Sequence, residues 1–188
     1  GFGANNEVVI TNGEDPIRWM SNVGTQFIII ARRSVHRLLG TEIFSFLPLQ
    51  ITDDAGAVGK RAATVLNGKA YFVSDDGLHR VDSIGAPKIL GAKLDPIFIG
   101  EGTADFDAIN DAKLETVTLA SFQNELYMSY PSGASVTPDR RIVINPKTGI
   151  IRPDDVPARA QFFDKDTGKL ILGLTNGKIY TDQVRGGS

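Results

Sequence analysis

The residues that could do chemistry in this chain are few, and their spacing limits what they can do. His36 and His79 are the only histidines, and each precedes an arginine. Two histidines without a nearby carboxylate or a third ligand make a poor metal site. They read as strand positions that accept an amphipathic ring. Asp164-x-Asp166-x-Gly168 has the opening of a calcium loop. A full loop needs further oxygen ligands and a downstream bidentate glutamate, which Thr167 and Lys169 do not supply, so a hairpin turn is expected. Asp75-Asp76-Gly77 and Asp53-Asp54 read the same way. Glycoside hydrolysis would need two carboxylates from loops at one end of the molecule. Asp15, Asp95 and Asp154 are the candidates, all beside or near prolines in turns. No Gly-x-Ser-x-Gly is present for a serine nucleophile. Gly56-x-x-Gly59-Lys60 is too short for a phosphate loop and lacks the following Ser or Thr, so it is read as a connector. Arg32-Arg33 and Arg140-Arg141 lie at equivalent turns and could form a weak patch for phosphate or carboxylate groups, although exposed turn arginines are the plainer reading. Trp19, in Asp15-Pro-Ile-Arg-Trp19, suits either stacking at an interface or a place in the core.

The elements that must position these residues repeat. Trp19–Leu39, Ala62–Asp82, Leu119–Asn145 and Ala160–Asp182 each hold an apolar strand, a polar turn, a strongly apolar strand, a second turn and a shorter third strand. Phe27, Tyr71, Leu126 and Leu170 fall in the middle strands; Val35, Leu78, Ile142 and Ile179 begin the third. His36 and His79 then occupy one slot, 43 residues apart. Asn67-Gly68 and Asp76-Gly77 are the expected two-residue turns of the second copy. A period near forty residues with three or four strands per unit is the pattern of β-propeller blades. A sandwich would supply short strands without the fourfold recurrence. The fold class predicted is therefore all-β, a β-propeller of four to five short blades in a single domain over residues 1–188, with one helical insertion.

Between the repeats, Glu7–Thr11 is an expected strand, placed to complete the blade ending at Gly177–Gln183 and so remove the exposed edges. Glu42–Ile51 is an outer strand weakened by Pro48. Ala86–Ile99 is read as an outer strand, a turn at Asp95-Pro96 and a short strand at Ile97-Phe98-Ile99. Thr103–Glu115 is the one expected helix, capped by Thr103, with Phe106, Ile109 and Ala112 on a weak apolar face. Pro131–Asp139 is a surface loop. These two extra segments are the expected contact surfaces, with Phe106, Ile109, Ser132, Val136 and Trp19 as the interface residues.

Composition narrows the function. The chain has 188 residues, 20 basic and 22 acidic, for a formal charge of −2. That balance lacks a polyanion-binding signature. Zero cysteines remove disulfides, thiolate zinc sites and cysteine nucleophiles together. No apolar run approaches the roughly 20 residues of a membrane span. The start at Gly1 without methionine fits a fragment of something longer. No cofactor, metal or catalytic residue is expected.

A resemblance adds to this. Asp15–Met20 (DPIRWM), Gly59–Gly85, Lys93–Phe98 (KLDPIF), Asn124–Tyr130 (NELYMSY), Ile142–Gly149 (IVINPKTG) and Gly168–Gln183 follow one another in an order that resembles the β-propeller portion of tail nozzle or stabilisation-type proteins of tailed bacteriophages. The blocks cover most of residues 15–183. The resemblance implies a structural virion protein, assembled in the host cytoplasm, with other tail proteins and copies of itself as partners and no catalytic residues. Nozzle proteins are much longer, which makes this chain a fragment or a reduced relative. A carbohydrate-binding propeller that contacts a host-surface glycan is the alternative, with Phe44, Phe46, Tyr127 and Tyr130 as its aromatics; a propeller glycosidase is the third.

Overall fold

The computed structural model describes residues 9–11, 13–40, 45–82, 88–91 and 93–182. Strands form where β-branched and aromatic residues cluster between turn dipeptides, and they assemble into four small antiparallel sheets. The first holds β1 (Ile17–Val23), β2 (Gln26–Ala31), β3 (Val35–Leu39) and β4 (Leu47–Thr52). The second holds β5 (Ala63–Leu66), β6 (Lys69–Ser74), β7 (Gly77–Val81) and β8 (Lys88–Leu90). β9 (Thr118–Phe122), β10 (Glu125–Tyr130), β11 (Arg140–Asn145) and β12 (Ile150–Asp154) make the third. The fourth has β13 (Ala160–Asp164), β14 (Lys169–Gly173) and β15 (Ile179–Asp182). In every sheet each strand pairs with the next in sequence. The four expected middle strands are β2, β6, β10 and β14.

The two-residue period of these strands explains how the sheets stack. In the second sheet Ala63, Ala70, Phe72 and Val81 face Val23, Ile28, Ile30 and Val35 of the first. The alternate residues Tyr71, Val73 and Leu78 face Leu126, Met128, Tyr130 and Ile142 of the third. Tyr127 and Val143, on the other face of the third, meet Leu170 and Leu172 of the fourth. First strands line up along one side of the stack, β5 against β9 and β9 against β13. Turn contacts tie neighbours together: Arg32 holds Asp75 in a two-pronged pair at 2.7 and 2.9 Å, and Asn67 Nδ2 donates to Asn124 Oδ1.

Several expectations need correction. Asn67 and Gly68 have φ of 50° and 71°, as a two-residue turn requires. In the next hairpin Ser74 pairs with Gly77, so the turn residues are Asp75 and Asp76, one position earlier than expected. The outer strand over 42–51 begins at Leu47; residues 42–44 lie outside the described set. Pro48 is accommodated because β4 is an edge strand. The closing strand at Glu7–Thr11 falls partly outside the described residues, and 9–11 are not in a strand.

Two local readings fail for the same physical reason, contacts distant in sequence. The expected strand at Ile97-Phe98-Ile99 is instead part of a one-turn helix, α1 (Asp95–Phe98), with Pro96 in its first turn. Pro96 presets a helical φ, and Leu94, Ile97 and Phe98 all enter the core between the second and third sheets, which a strand's alternation would forbid. The expected helix Thr103–Glu115 does not form. Thr103 Oγ1 does accept from the amides of Asp105 and Phe106, but Ile109 is drawn straight, its N–H bonding the Ile97 carbonyl and its backbone bridging Ser132. A short 3-10 helix, Asp111–Thr116, follows, capped by Asn110. The helical insertion is thus a turn, an extended stretch and a 3-10 helix.

Candidate functional site

The histidines share one structural slot: His36 sits opposite Ile29 and His79 opposite Phe72, each facing the fourth residue of its middle strand. Both are buried. Ser34 Oγ lies 2.5 Å from Asp15 Oδ2 and 2.7 Å from His36 Nε2. A hydroxyl has one proton. Donated to the carboxylate, it leaves Oγ to accept from the His36 N–H, the reverse of what an activated serine needs. The trio is a clasp that closes the β2–β3 turn, with Asp15 also accepting from the Arg33 amide. Burial pulls the His36 pKa below its ordinary value, against the opposing pull of Asp15. His79 Nε2 is 2.7 Å from Asp76 Oδ1, and its ring stacks on Phe72.

The candidate carboxylates are not brought together. Asp15 is in that clasp, Asp95 opens α1, and Asp154 is 2.9 Å from Arg141. Arg141 was expected at an exposed turn. It is instead almost fully buried and lies over the Tyr127 ring, while its neighbour Arg140 stays at the surface, bound to Asp107 at 2.6 Å. Asp107, Arg140, Arg141 and Asp154 border a cleft of about 300 Å³ that Asp105, Tyr130, Asp139 and Asp155 also line. Burial, with Asp107 adding, pushes the Tyr130 hydroxyl up to about 12; it donates to the Asp107 carbonyl. Asp164 builds a hairpin turn, accepting from the Asp166 amide and the Thr167 hydroxyl. Among the described residues no cluster of three or more His, Asp or Glu is arranged to hold a metal.

The residues expected at an interface divide. Ile109 is in the core and Phe106 packs partly buried against it. Trp19 lies partly buried between the first and second sheets. Ser132 is fixed by Asp139, which accepts from both its amide and its hydroxyl. Val136 alone is well exposed, at 60%. The two extra segments are one unit: Asn110 N–H bonds the Pro131 carbonyl, Asn110 Nδ2 the Ser135 carbonyl, and Gly133 N–H the Ala108 carbonyl. Of the glycan-platform aromatics, Tyr127 and Tyr130 are buried, Phe46 is at the surface, and Phe44 lies outside the described residues.

Sequence reasoning missed a second cleft, of about 350 Å³, where the first strands begin. Arg18 enters it from β1, Lys60 and Arg61 from the connector before β5, Glu115 and Thr116 from the end of the 3-10 helix before β9, and Arg159 from just before β13. Each sheet contributes. Arg61 Nη1 donates to the Arg159 carbonyl at 2.9 Å, and the Arg61 carbonyl accepts from the Leu119 amide. The connector reading of Gly56-x-x-Gly59 fits this place: a Cβ at Gly59 would stand 2.3 Å from the Glu115 carbonyl oxygen, and one at Gly56 2.4 Å from that of Ala31. The available signal was a basic residue just ahead of an opening strand, in Lys60-Arg61-Ala62 and again in Ala158-Arg159-Ala160.

No known protein family matches the chain, and no curated protein matches it by sequence. Its architecture does have solved counterparts. It is similar to the extracellular domain of BT4673 from B. thetaiotaomicron, with a TM-score of 0.54 and 9% identity over 96% of this chain and 23% of that one. It is similar also to the WD40 domain of Neurospora crassa Pan2, with a TM-score of 0.53 and 10% identity over 94% of this chain and 49% of that one. The chain thus spans less than half of either counterpart. At such identity the likeness is one of fold: all-β, built from small antiparallel sheets stacked as in WD40 and related proteins.

Proposed function

We propose that the four sheets are blades of a β-propeller and that the chain works by contact and assembly, as a homo-oligomeric structural component of a phage tail of the tail-tube or nozzle type. One observation carries the assembly part. Among the described residues no sheet covers the outer face of the fourth sheet, where Phe162 and Ile179 are 57% and 78% exposed beside half-buried Ile171 on the same face. The corresponding faces of the second and third sheets are occupied by a neighbouring sheet. Exposed apolar faces of this kind mark contact surfaces. The clasp at Ser34 and the separation of Asp15, Asp95 and Asp154 speak for binding over catalysis. The phage assignment rests on the ordered sequence blocks between residues 15 and 183.

The test is the mass of the chain in solution across a concentration series, by light scattering after gel filtration. The expected result is association that weakens when Phe162 and Ile179 are changed to serine. A chain that stays monomeric at every concentration, or a double variant that associates as before, removes the fourth-sheet face as the joint. Detection of the chain in purified tails, by mass spectrometry of particles from the phage that encodes it, tests the virion assignment separately.

A further inference from the structure

We propose that the cleft at the start of the first strands is an anion site, for a small ligand carrying a phosphate group. The proposal is independent of the assembly reading. Arg18, Lys60, Arg61 and Arg159 converge there against a single carboxylate, Glu115, which itself lies 4.0 Å from the Lys113 amine. Elsewhere five of the described arginines lie against a carboxylate: Arg32 against Asp75, Arg80 against Asp82, Arg140 against Asp107, Arg141 against Asp154 and Arg152 against Glu125. Among the described residues no carboxylate lies within ion-pair distance of any of the four cleft cations, although the chain as a whole is acidic by two charges. A cleft focuses the field of one sign of charge, which raises the local concentration of the opposite ion.

Two further features point to a ligand. The Arg18 Nε is shielded from solvent and has no hydrogen-bond partner among the described residues. Buried charged donors are costly to leave unmatched. Arg61 is held by its bond to the Arg159 carbonyl through one nitrogen only. Among the described residues its other N–H groups have no hydrogen-bond partner. Planar guanidinium forks suit the paired oxygens of a phosphate. The volume decides the ligand's scale: about 350 Å³ is at the low end of small-molecule sites, which run from about 300 to 1,000 Å³. Glu115 is the one group that opposes the anion, so it lowers affinity and favours a ligand with a hydroxyl beside its phosphate.

Isothermal titration of the intact chain with inorganic phosphate at fixed ionic strength is the first measurement, and titration with glycerol 2-phosphate and with citrate are its two further arms. A single saturable site is expected for both phosphates, tighter for glycerol 2-phosphate, and weaker for citrate. Arg159→Gln should weaken binding about tenfold or more, the loss of a charge-assisted bond. Glu115→Gln should tighten inorganic phosphate binding several-fold. Arg152→Gln, remote and ion-paired at the surface, should leave it unchanged. If Arg159→Gln fails to fold, Lys60→Gln, at an exposed side chain, replaces it with the same expected direction. Absence of a saturable site, equal losses in Arg152→Gln and Arg159→Gln, or citrate binding more tightly than both phosphates would overturn the proposal.

Discussion

The second and fourth sheets are built from the same strand pattern but sit in different surroundings. The second is covered on both faces, and all of β6 after Lys69 is buried. The fourth is covered on one face only, and in β14 buried and half-buried positions alternate. The covering differs in kind as well. Between the first and second sheets an apolar cluster dominates, with buried Ser74 and His79 on the same face of the second sheet and the Arg32–Asp75 pair at the turns. Between the third and fourth it includes Arg141, Ser129, whose hydroxyl accepts from the Ala158 amide, and Gln161, whose amide donates to the Thr118 and Tyr127 carbonyls. Polar contacts fix orientation at small net gain, whereas apolar burial drives association. The second sheet is therefore the stabilising centre, and the fourth is held in register rather than held strongly.

The largest expected effect is at that centre. Phe72→Ala should cost about 4 kcal/mol, since its ring is fully buried between two sheets. Chemical denaturation read by fluorescence checks this, and a cost under about 1 kcal/mol would break the contrast between the sheets. Gly59→Ala comes next, at about 3 kcal/mol, because its Cβ would meet a backbone carbonyl that cannot rotate away. Asp154→Asn should cost about 2 kcal/mol by removing a carboxylate charge from beside the buried Arg141 guanidinium, the partly exposed partner moderating the loss. Its effect should appear at the fourth sheet, as faster amide exchange in β13 and β14 than in β6.

A smaller effect concerns pH at the opposite end of the stack. The folded His36 has a pKa below its unfolded value of 6.5. The unfolded chain then takes up the proton first. The stability linked to this group is complete above 6.5 and is lost as pH falls below it toward the folded value. Thermal unfolding of the parent and of His36→Gln at pH 7.5 and 5.5 should show the parent losing more on acidification. Equal losses would remove His36 as the cause. Smallest of all, Ile179→Ser should change stability by no more than about 0.5 kcal/mol, as exposed substitutions do.

What was legible from sequence was local. The middle strands, the Asn67-Gly68 turn and the matched histidine slots follow from spacing and turn chemistry within a few residues. The failures lie where distant contacts override local preference. Thr103 caps as its side chain dictates, yet the Ile97 carbonyl and Ser132 pull Ile109 out of a helix. Arg141 reads as a surface residue until Asp154 and Tyr127 are placed beside it. The cationic cleft was invisible for the same reason: Arg18, Lys60, Arg61 and Arg159 become neighbours only once the first strands lie side by side.

The connector around Gly56 and Gly59 has a consequence for cooperativity. Stacked units that touch only their neighbours can unfold piecemeal, each with its own stability. Here one short segment ahead of β5 presses its backbone on the end of the first sheet at Ala31 and on the entry to the third at Glu115. Opening either neighbour disturbs the same few residues. The first three sheets are thereby coupled, whereas among the described residues this segment reaches the fourth through the Arg61 side chain, so the fourth is expected to open ahead of the other three.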